Sequence, residues 1–550
     1  MKYWLMVAMI ALPLVAAADE RPNFLLLMAE DLGPRIGAFG DNVAVTPNID
    51  RLAQQGVRYL NTYTAAGVCA PSRAAIISGM HQESIGAQHM RSYSEGPAKY
   101  YAVPPPQVKA FPELLRARGY YTFNRRKLDY QFSHVRSGSG PFSLWDSDSG
   151  GNVQFEKLPS DQPFFGYVNF LGTHESGIFA KDAFPKSIAQ LYTQLKQISI
   201  HWDTEDQVLP QQVDVPPYYP DTPKVRKDIA RQYNNLITVD RQVGEVLAQL
   251  EKSGLADNTI VIWTTDHGDG LPRAKRELYD SGIKVPMVIR WPEKYRPQGV
   301  APGGVDERMI SLVDLAPTLL TLAGVSVPDY VHGQPFAGAS SVEPREYIFA
   351  ARDRIGGFAD RQRAVRDQRF KYIRSYNLQP GGFHLAYRDN IGTMQELWRL
   401  LEAGQLNEVQ RQWFQPRSEE MLFDTREDPH EINNLANDPK YTAELERLRS
   451  AYEKHRARVP DLSDDDETQL AQRSWPDEIQ PVTQAPEFRV LGERVSLISA
   501  TEGASIGYRT NGGDWQLYTG PLRLKDDEKL EGKAVRYGWK ESEVAELQVR

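Results

Sequence analysis

Three apolar runs that end abruptly in polar residues restrict the folds open to this chain. Asn23-Phe24-Leu25-Leu26-Leu27-Met28 gives way to Ala29-Glu30-Asp31-Leu32-Gly33. Gln162 to Leu171 gives way to Gly172-Thr173-His174-Glu175, and Asn258 to Thr265 to Asp266-His267-Gly268-Asp269-Gly270. Apolar runs of this length, bounded by polar turns, read as strands buried on both faces, the kind found in parallel sheets covered by helices. The intervening sequence supplies the helices. Thr46 to Gly56 has proline near its start and glycine just past its end, Pro112 to Gly119 is stopped by glycine, and Leu312 to Ala323 fits a helix. Val225 to Leu250 carries Ile229, Tyr233, Leu236, Ile237, Val243, Val246, Leu247 and Leu250 at helical intervals, as one long amphipathic helix does. With Val57 to Tyr63, Tyr120 to Phe123 and Val285 to Pro292 as further strands, the pattern predicts an α/β fold with a large, mainly parallel sheet.

In open sheets of this kind, ligand groups collect beyond the carboxyl ends of the strands. Four strand ends carry chemically apt groups: Glu30-Asp31, Lys127 with Asp129, His174, and Asp266-His267. Each alone is weak. Glu30-Asp31 by itself reads as an acidic turn, and a lone histidine after a strand is more often structural. Their joint order carries the argument.

The chain has a single cysteine, Cys69. Residues 1–18 read as an export signal: Lys2 at the start, a largely apolar stretch from Tyr3 to Val15, and Ala16-Ala17-Ala18 before Asp19. A membrane helix needs about 20 apolar residues, and Asp19-Glu20-Arg21 comes too soon. The expectation is an exported protein, periplasmic or secreted, with no membrane span. An exported chain with one cysteine cannot close an internal disulfide, and zinc modules built on several cysteines are excluded by count. The thiol is either inert or kept for chemistry. Pro71 suits the first turn of a helix and Ser72 to Ser78 holds no breaker, so Cys69 falls at a helix N-terminus, an end that attracts anions, with Arg73 close by. The formal net charge of −8 argues against a general polyanion-binding surface and against nucleic acid as a partner, while leaving room for a local basic pocket.

Cys69-Ala70-Pro71-Ser72-Arg73 resembles the signature of the type I sulfatases, of the alkaline-phosphatase-like superfamily. The resemblance extends from Arg21 to about Asn434 through Thr46 to Leu52, Lys127, His174, Asp266-His267-Gly268, Lys275 to Pro286, Asp314 to Thr318 and Leu422 to Pro429. It implies an alkaline-phosphatase-like α/β sandwich over 19–345 and a smaller antiparallel sheet subdomain over 346–480. It also implies that a maturating enzyme oxidises Cys69 to formylglycine, whose hydrate attacks sulfur and later expels sulfate as the aldehyde reforms. Glu30, Asp31, Asp266 and His267 become metal ligands by this resemblance. Oxygen donors favour Ca2+, and the imidazole leaves Mn2+ or Zn2+ open. Arg73 stabilises developing charge, Lys127 and Lys275 hold sulfate oxygens, and His174, with Lys275, protonates the leaving alcohol. The implied substrate is a sulfated carbohydrate.

The chain departs from the family at three positions, one of them His267, where calcium-dependent members often carry an amide. Glu30 stands where aspartate is usual, one methylene longer. Asp129 stands where a histidine base is common, leaving it two roles: base, or partner of Lys127. His89 with Arg91, and Arg352-Asp353-Arg354, are candidates for reading the rest of the substrate, against ordinary ion pairing. Asp461 to Asp466 reads as an acidic linker. Beyond it, residues 485–550 alternate as short strands with Asn511-Gly512-Gly513-Asp514 as a hairpin signal, predicting a β-sandwich module, structural in preference to glycan-binding. Competing activities are a phosphonate or phosphate ester hydrolase, a sulfamidase, and a non-catalytic glycan-binding protein.

Overall fold

The computed structural model describes residues 21–179, 188–204, 206–339, 341–525 and 527–548. The export signal expected over 1–18 lies outside them. Among the described residues no helix is long and apolar enough to cross a membrane.

Eight strands form the main sheet: β1 Asn23–Ala29, β2 Val57–Tyr63, β3 Tyr121–Arg125, β4 Ser147–Ser149, β5 Phe164–Phe170, β6 Thr259–Thr265, β7 Lys284–Arg290 and β8 Val305–Ser311. Their order is β4-β3-β5-β1-β6-β7-β2-β8. Every neighbour pair is parallel except those made by β7, which runs antiparallel to both β6 and β2. The sheet is buried on both faces because each central strand feeds two cores. From β1, Phe24, Leu26 and Met28 join one core, and Leu25, Leu27 and Ala29 the other. Helices α1 (Pro47–Gln55) and α5 (Pro223–Lys252) cover the second face, while α2 (Cys69–Ser78), α3 (Phe111–Ala117) and α7 (Leu315–Leu322) supply residues to the first. Two further helices, α4 (Ile188–His201) and α6 (Asp280–Ile283), were not evident from sequence pattern.

Parallel register brings the site together. Ala29 of β1 pairs with Phe170 of β5 and Thr265 of β6, so the three strands run out at one level. The next residues remain stitched: Glu30 N–H donates to the Phe170 carbonyl at 3.2 Å, Asp266 N–H to that of Ala29 at 3.2 Å, and Leu32 N–H to that of His267 at 3.2 Å.

After the main sheet, β9 Ile348–Arg352, β10 Gln362–Arg366, β11 Phe370–Ser375 and β12 Glu420–Asp424 form an antiparallel sheet in the order β12-β11-β10-β9. The acidic tract is not a free linker, which corrects the sequence reading. Asp461 binds Arg363 at 2.8 Å and Arg361 at 3.1 Å, Asp464 binds Arg361 at 2.7 Å and Arg456 at 2.9 Å, and Asp465 pairs with Arg473. Arg361 and Arg363, distant in sequence, turn a charge run into a docked segment, and Arg456 and Arg473 pair with it locally.

The C-terminal residues form two small sheets, one of three and one of four strands, that share Val495, Leu497, Leu530, Phe488, Ile506 and Leu547 as a core. This module is fastened to the α/β body. The Glu113 carboxylate accepts from Ser143 at 2.5 Å, from Ser505 at 2.6 Å and from Tyr537 at 2.6 Å, and the Tyr537 ring stacks on Phe132 at 4.8 Å. Gly503 and Gly538 lie so close to the backbone of Pro106 and Ala102 that a Cβ at either would collide with it, and both have positive φ. Tyr537 is buried within the first core of the main sheet. Tyr537→Ala is therefore expected to destabilise the whole chain by about 3–5 kcal/mol, read as a lower urea midpoint for the α/β body. A transition confined to the module would show that the two are independent.

Candidate active site

Cys69 is the first residue of α2, fully buried, and every residue of that helix is buried. Ser72 explains part of the local motif: its hydroxyl donates to the Asp266 carbonyl at 2.5 Å and lies 2.7 Å from Thr64 Oγ1, tying the helix to the end of β6. Close packing explains two glycines. A Cβ on Gly268 would collide with the carbonyl of Ser281, and one on Gly282 with those of Ala274 and Glu277, so the segment carrying Lys275 lies directly against the end of β6.

Around the Cys69 sulfur, Sγ is 3.4 Å from His267 Nε2 and 3.7 Å from Asp31 Oδ1. His267 Nε2 is 3.0 Å from Asp31 Oδ1 and 3.8 Å from Asp266 Oδ1. Asp31 Oδ2 accepts from Lys275 Nζ at 2.5 Å and from Glu175 N–H at 2.7 Å. Arg73, fully buried, donates through Nε to Asp266 at 3.0 Å and through Nη1 to Asn169 at 2.6 Å, and its Nη2 pairs with Glu30. Lys127 reaches the other Glu30 oxygen at 2.6 Å and lies 3.4 Å from Asp129. Donor atoms of Asp31, Cys69, Asp266 and His267 all fall within 4.8 Å of one another, as do those of Glu30, Asp31, Cys69 and His174. The four strand ends predicted to converge do so.

The charges shift one another in consistent directions. Burial pushes the Cys69 thiol up, but Lys127 and Lys275 more than offset it and its pKa is lowered. Burial disfavours the His267 imidazolium, yet Asp266 and Asp31 raise its pKa to about 10. Burial together with Lys275 lowers the His174 pKa to about 4. His174 Nδ1 accepts the Ser176 N–H at 3.3 Å, so the neutral ring carries its proton on Nε2.

A family model described as Sulfatase matches residues 22–325, more than half of the chain. The chain belongs to the sulfatase family. With the family comes its enzyme class, the sulfuric ester hydrolases. A second model, N-sulphoglucosamine sulphohydrolase, C-terminal, matches residues 273–415. This sulfatase is 41% identical over 560 residues to an ulvan-active sulfatase of Formosa agariphila, across 96% of this chain and 91% of that one. It is 28% identical to the human N-sulphoglucosamine sulphohydrolase, across 78% and 88% respectively. Among solved structures, a 2-O GAG sulfatase superposes with a TM-score of 0.56 at 21% identity, across 82% of this chain and 96% of that one, a likeness of fold.

The remaining candidates of the sulfatase separate into two groups. Arg91 joins the cluster: its Nη2 binds Asp129 Oδ2 at 3.1 Å while its side chain stays partly exposed. Arg352, Asp353 and Arg354 are tied elsewhere, whereas among the described residues the His89 side chain makes no close contact of this kind. Arg352 pairs with Glu277 and with Asp360 at 2.8 Å, and Asp353 with Arg363 at 3.1 Å. Arg354 grips Glu467 through Nε at 2.6 Å and Nη2 at 2.8 Å, and His89 Nε2 lies 3.9 Å from the same carboxylate. Sequence reasoning passed over three residues that the structure makes prominent. Glu175 bridges Lys275 at 3.0 Å and Arg276 at 2.5 Å, Asn169 receives Arg73, and Tyr387 places its exposed ring 6.3 Å from that of His174. Glu175 was adjacent to a chosen residue, but nothing local to Tyr387 marks it.

Of the two roles open to Asp129, the geometry favours the partner. Arg91 and Lys127 overcome burial and hold its carboxyl well below the usual range, which makes it a weak base. Removing one member of a buried ion pair typically costs about 3–5 kcal/mol, so Asp129→Asn is expected to lower stability by an amount near the bottom of that range. Because the folded pKa of Asp129 is depressed, its contribution is full above the unfolded value near 3.9 and fades below it. The stability gap between wild type and Asp129→Asn, measured by denaturant titration, is expected to shrink as pH falls below 4.

Proposed function

We propose that this sulfatase removes sulfate ester groups from a sulfated polysaccharide or its oligosaccharides, using formylglycine made from Cys69. The observation that carries the reading is the seat of Cys69: first residue of a buried helix, its sulfur 3.7 Å from Asp31 and 3.4 Å from His267, its pKa lowered by Lys127 and Lys275. The relatives named for ulvan and GAG substrates support the carbohydrate class.

Asp31, Asp266 and His267, with Glu30 at the edge, fit a cation. Their donors converge, all are buried, and the raised pKa of His267 shows that the two aspartates seek positive charge between them. Two carboxylates suit Ca2+, while one imidazole admits Mn2+ or Zn2+. A bound cation would stabilise negative charge developing on the sulfate, and the formylglycine hydrate would supply a nucleophile with its own route of release. The chain's own residues do the rest. Arg73 fixes Glu30 and Asp266 in place, and Lys127 and Lys275 offer ammonium groups to sulfate oxygens. His174, with Lys275, is the proton donor to the leaving oxygen, a role that requires the bound anionic sulfate to offset the burial and Lys275 charge that lower its pKa, and Asp129 holds Lys127 and Arg91 in position. Arg91, His174 and Tyr387 are partly or fully exposed and form the sugar-facing mouth. Cys69 has no exposed surface, so the maturating enzyme has to act before folding closes the site. The chain is read as exported through residues 1–18, and the C-terminal module as structural. The ring of Trp515 in this module is flanked by Arg509 at 4.7 Å and Lys533 at 4.8 Å.

Mass spectrometry of the Cys69 peptide from the native host is expected to show formylglycine, and an unmodified thiol would defeat the mechanism. Loss of His174 as proton donor should slow sugar sulfates by about 10²–10⁴-fold while sparing aryl sulfates, whose phenolate needs no proton. Equal losses on both would remove it from that role. The match to the sulphohydrolase C-terminal model favours N-sulfate as a second reading. Comparing turnover of O-sulfated and N-sulfated oligosaccharides and an aryl phosphonate at fixed calcium separates the three activities.

A further inference from the structure

A second cluster of ligating side chains lies outside the active site. His81 sits just beyond the C-cap of α2 (Gly79), Glu83 in the short turn Gln82–Ser84, and His455 in the last turn of the helix Thr442–Arg456. All three are buried, with 3%, 4% and 8% of their surface exposed. One ligating atom from each falls within 4.8 Å of the other two. Among the described residues, His81 Nδ1, Glu83 Oε2 and His455 Nε2 have no hydrogen-bond partner. His81 Nδ1 lies 3.9 Å from Glu83 Oε1, too long for a hydrogen bond. Three buried side chains that meet in one place, each with a polar atom left unsatisfied, are a costly arrangement unless something joins them.

We propose that His81, Glu83 and His455 bind a zinc ion, which pins the exit of α2 to the helix Thr442–Arg456. Two imidazoles and a carboxylate are a donor set zinc takes, with water in the fourth position, and a set that calcium, which prefers oxygen alone, does not. Zinc–nitrogen bonds of 2.0–2.1 Å place tetrahedral donors about 3.3 Å apart, so modest side-chain rotation closes the site. The rings are held for the task. His455 stacks on Phe349 at 3.8 Å, and His81 meets the His455 ring edge-on at 4.7 Å. The His81 backbone N–H is held by His332 Nδ1 at 3.1 Å. Neighbouring guanidinium groups are already engaged: Arg363 by Asp353 and Asp461, Arg345 by Asp314. Glu83 feels the Arg363 charge through space but makes no contact ion pair with an arginine or lysine among the described residues.

The test is metal analysis of the full-length enzyme. Protein grown with zinc and dialysed in calcium buffer is expected to keep about one zinc per chain. His455→Gln and Glu83→Gln are expected to weaken zinc binding by about 100-fold or more, beyond the 10–100-fold typical of losing a group that only orients a ligand. Asp31→Asn is expected to retain the zinc, which separates this site from the active site. Because the variants themselves can misfold, Co2+ is also titrated into metal-free wild type, where a visible band of four-coordinate Co2+ is expected with one equivalent. A wild-type protein without zinc and without that band overturns the proposal. So does zinc that survives His455→Gln or that is lost with Asp31→Asn.

Discussion

The buried guanidinium of Arg73 is the interaction on which the site depends. It reaches Glu30 beyond β1, Asp266 beyond β6, and Asn169 and Tyr167 of β5, so one side chain from α2 locks three strand ends to the helix bearing Cys69. Burying a charge is unfavourable unless the pairing is complete. Here it is nearly complete: Arg73, Lys127, Lys275, Arg91 and Arg276 face Glu30, Asp31, Asp266, Asp129 and Glu175. With the His267 imidazolium counted, six cations face five carboxylates. A divalent cation that displaced the His267 proton would raise the positive charge available to an anionic sulfate.

Local backbone strain gathers around the same charges. Asp31, Arg91, Arg126, Asp129, Gln131, Arg273 and Arg276 all have positive φ, a conformation that non-glycine residues adopt at a cost. These residues sit on or beside the segments that carry the cluster. The strain is affordable because the sheet beneath is buried on both faces and cannot relax to relieve it. The rigid strands fix where the chain emerges, and the strained turns aim the side chains.

The later parts of the chain serve this arrangement from outside. The antiparallel sheet and the segment following it contribute acidic partners: Asp360 engages Arg352, Asp461 engages Arg363, and Glu467 caps Arg354 beside His89. The C-terminal module anchors on Glu113 and inserts Tyr537 into the core behind the sheet. Its adhesion is polar and specific at the contact, apolar beneath it.

Six of the eight main-sheet strands, the long helix and the convergence of Glu30, Asp31, Cys69, Lys127, His174 and Asp266 were legible in the order of residues, whereas β4 and β8 were not. Strand periodicity and the polar breaks after each run are local properties, and parallel register then brings equivalent strand ends to one level. Only the tertiary structure decided how the charged side chains pair. Asp129 looks equally like a base or a partner until Arg91, 38 residues away, is seen to bind it. Arg352, Asp353 and Arg354 look like substrate readers until Glu277, Asp360, Arg363 and Glu467 are found against them. Tyr387 and the His81-Glu83-His455 cluster carry no local signal at all. A charge takes whichever opposite charge the folded chain delivers, and that delivery is not encoded in the spacing of neighbouring residues.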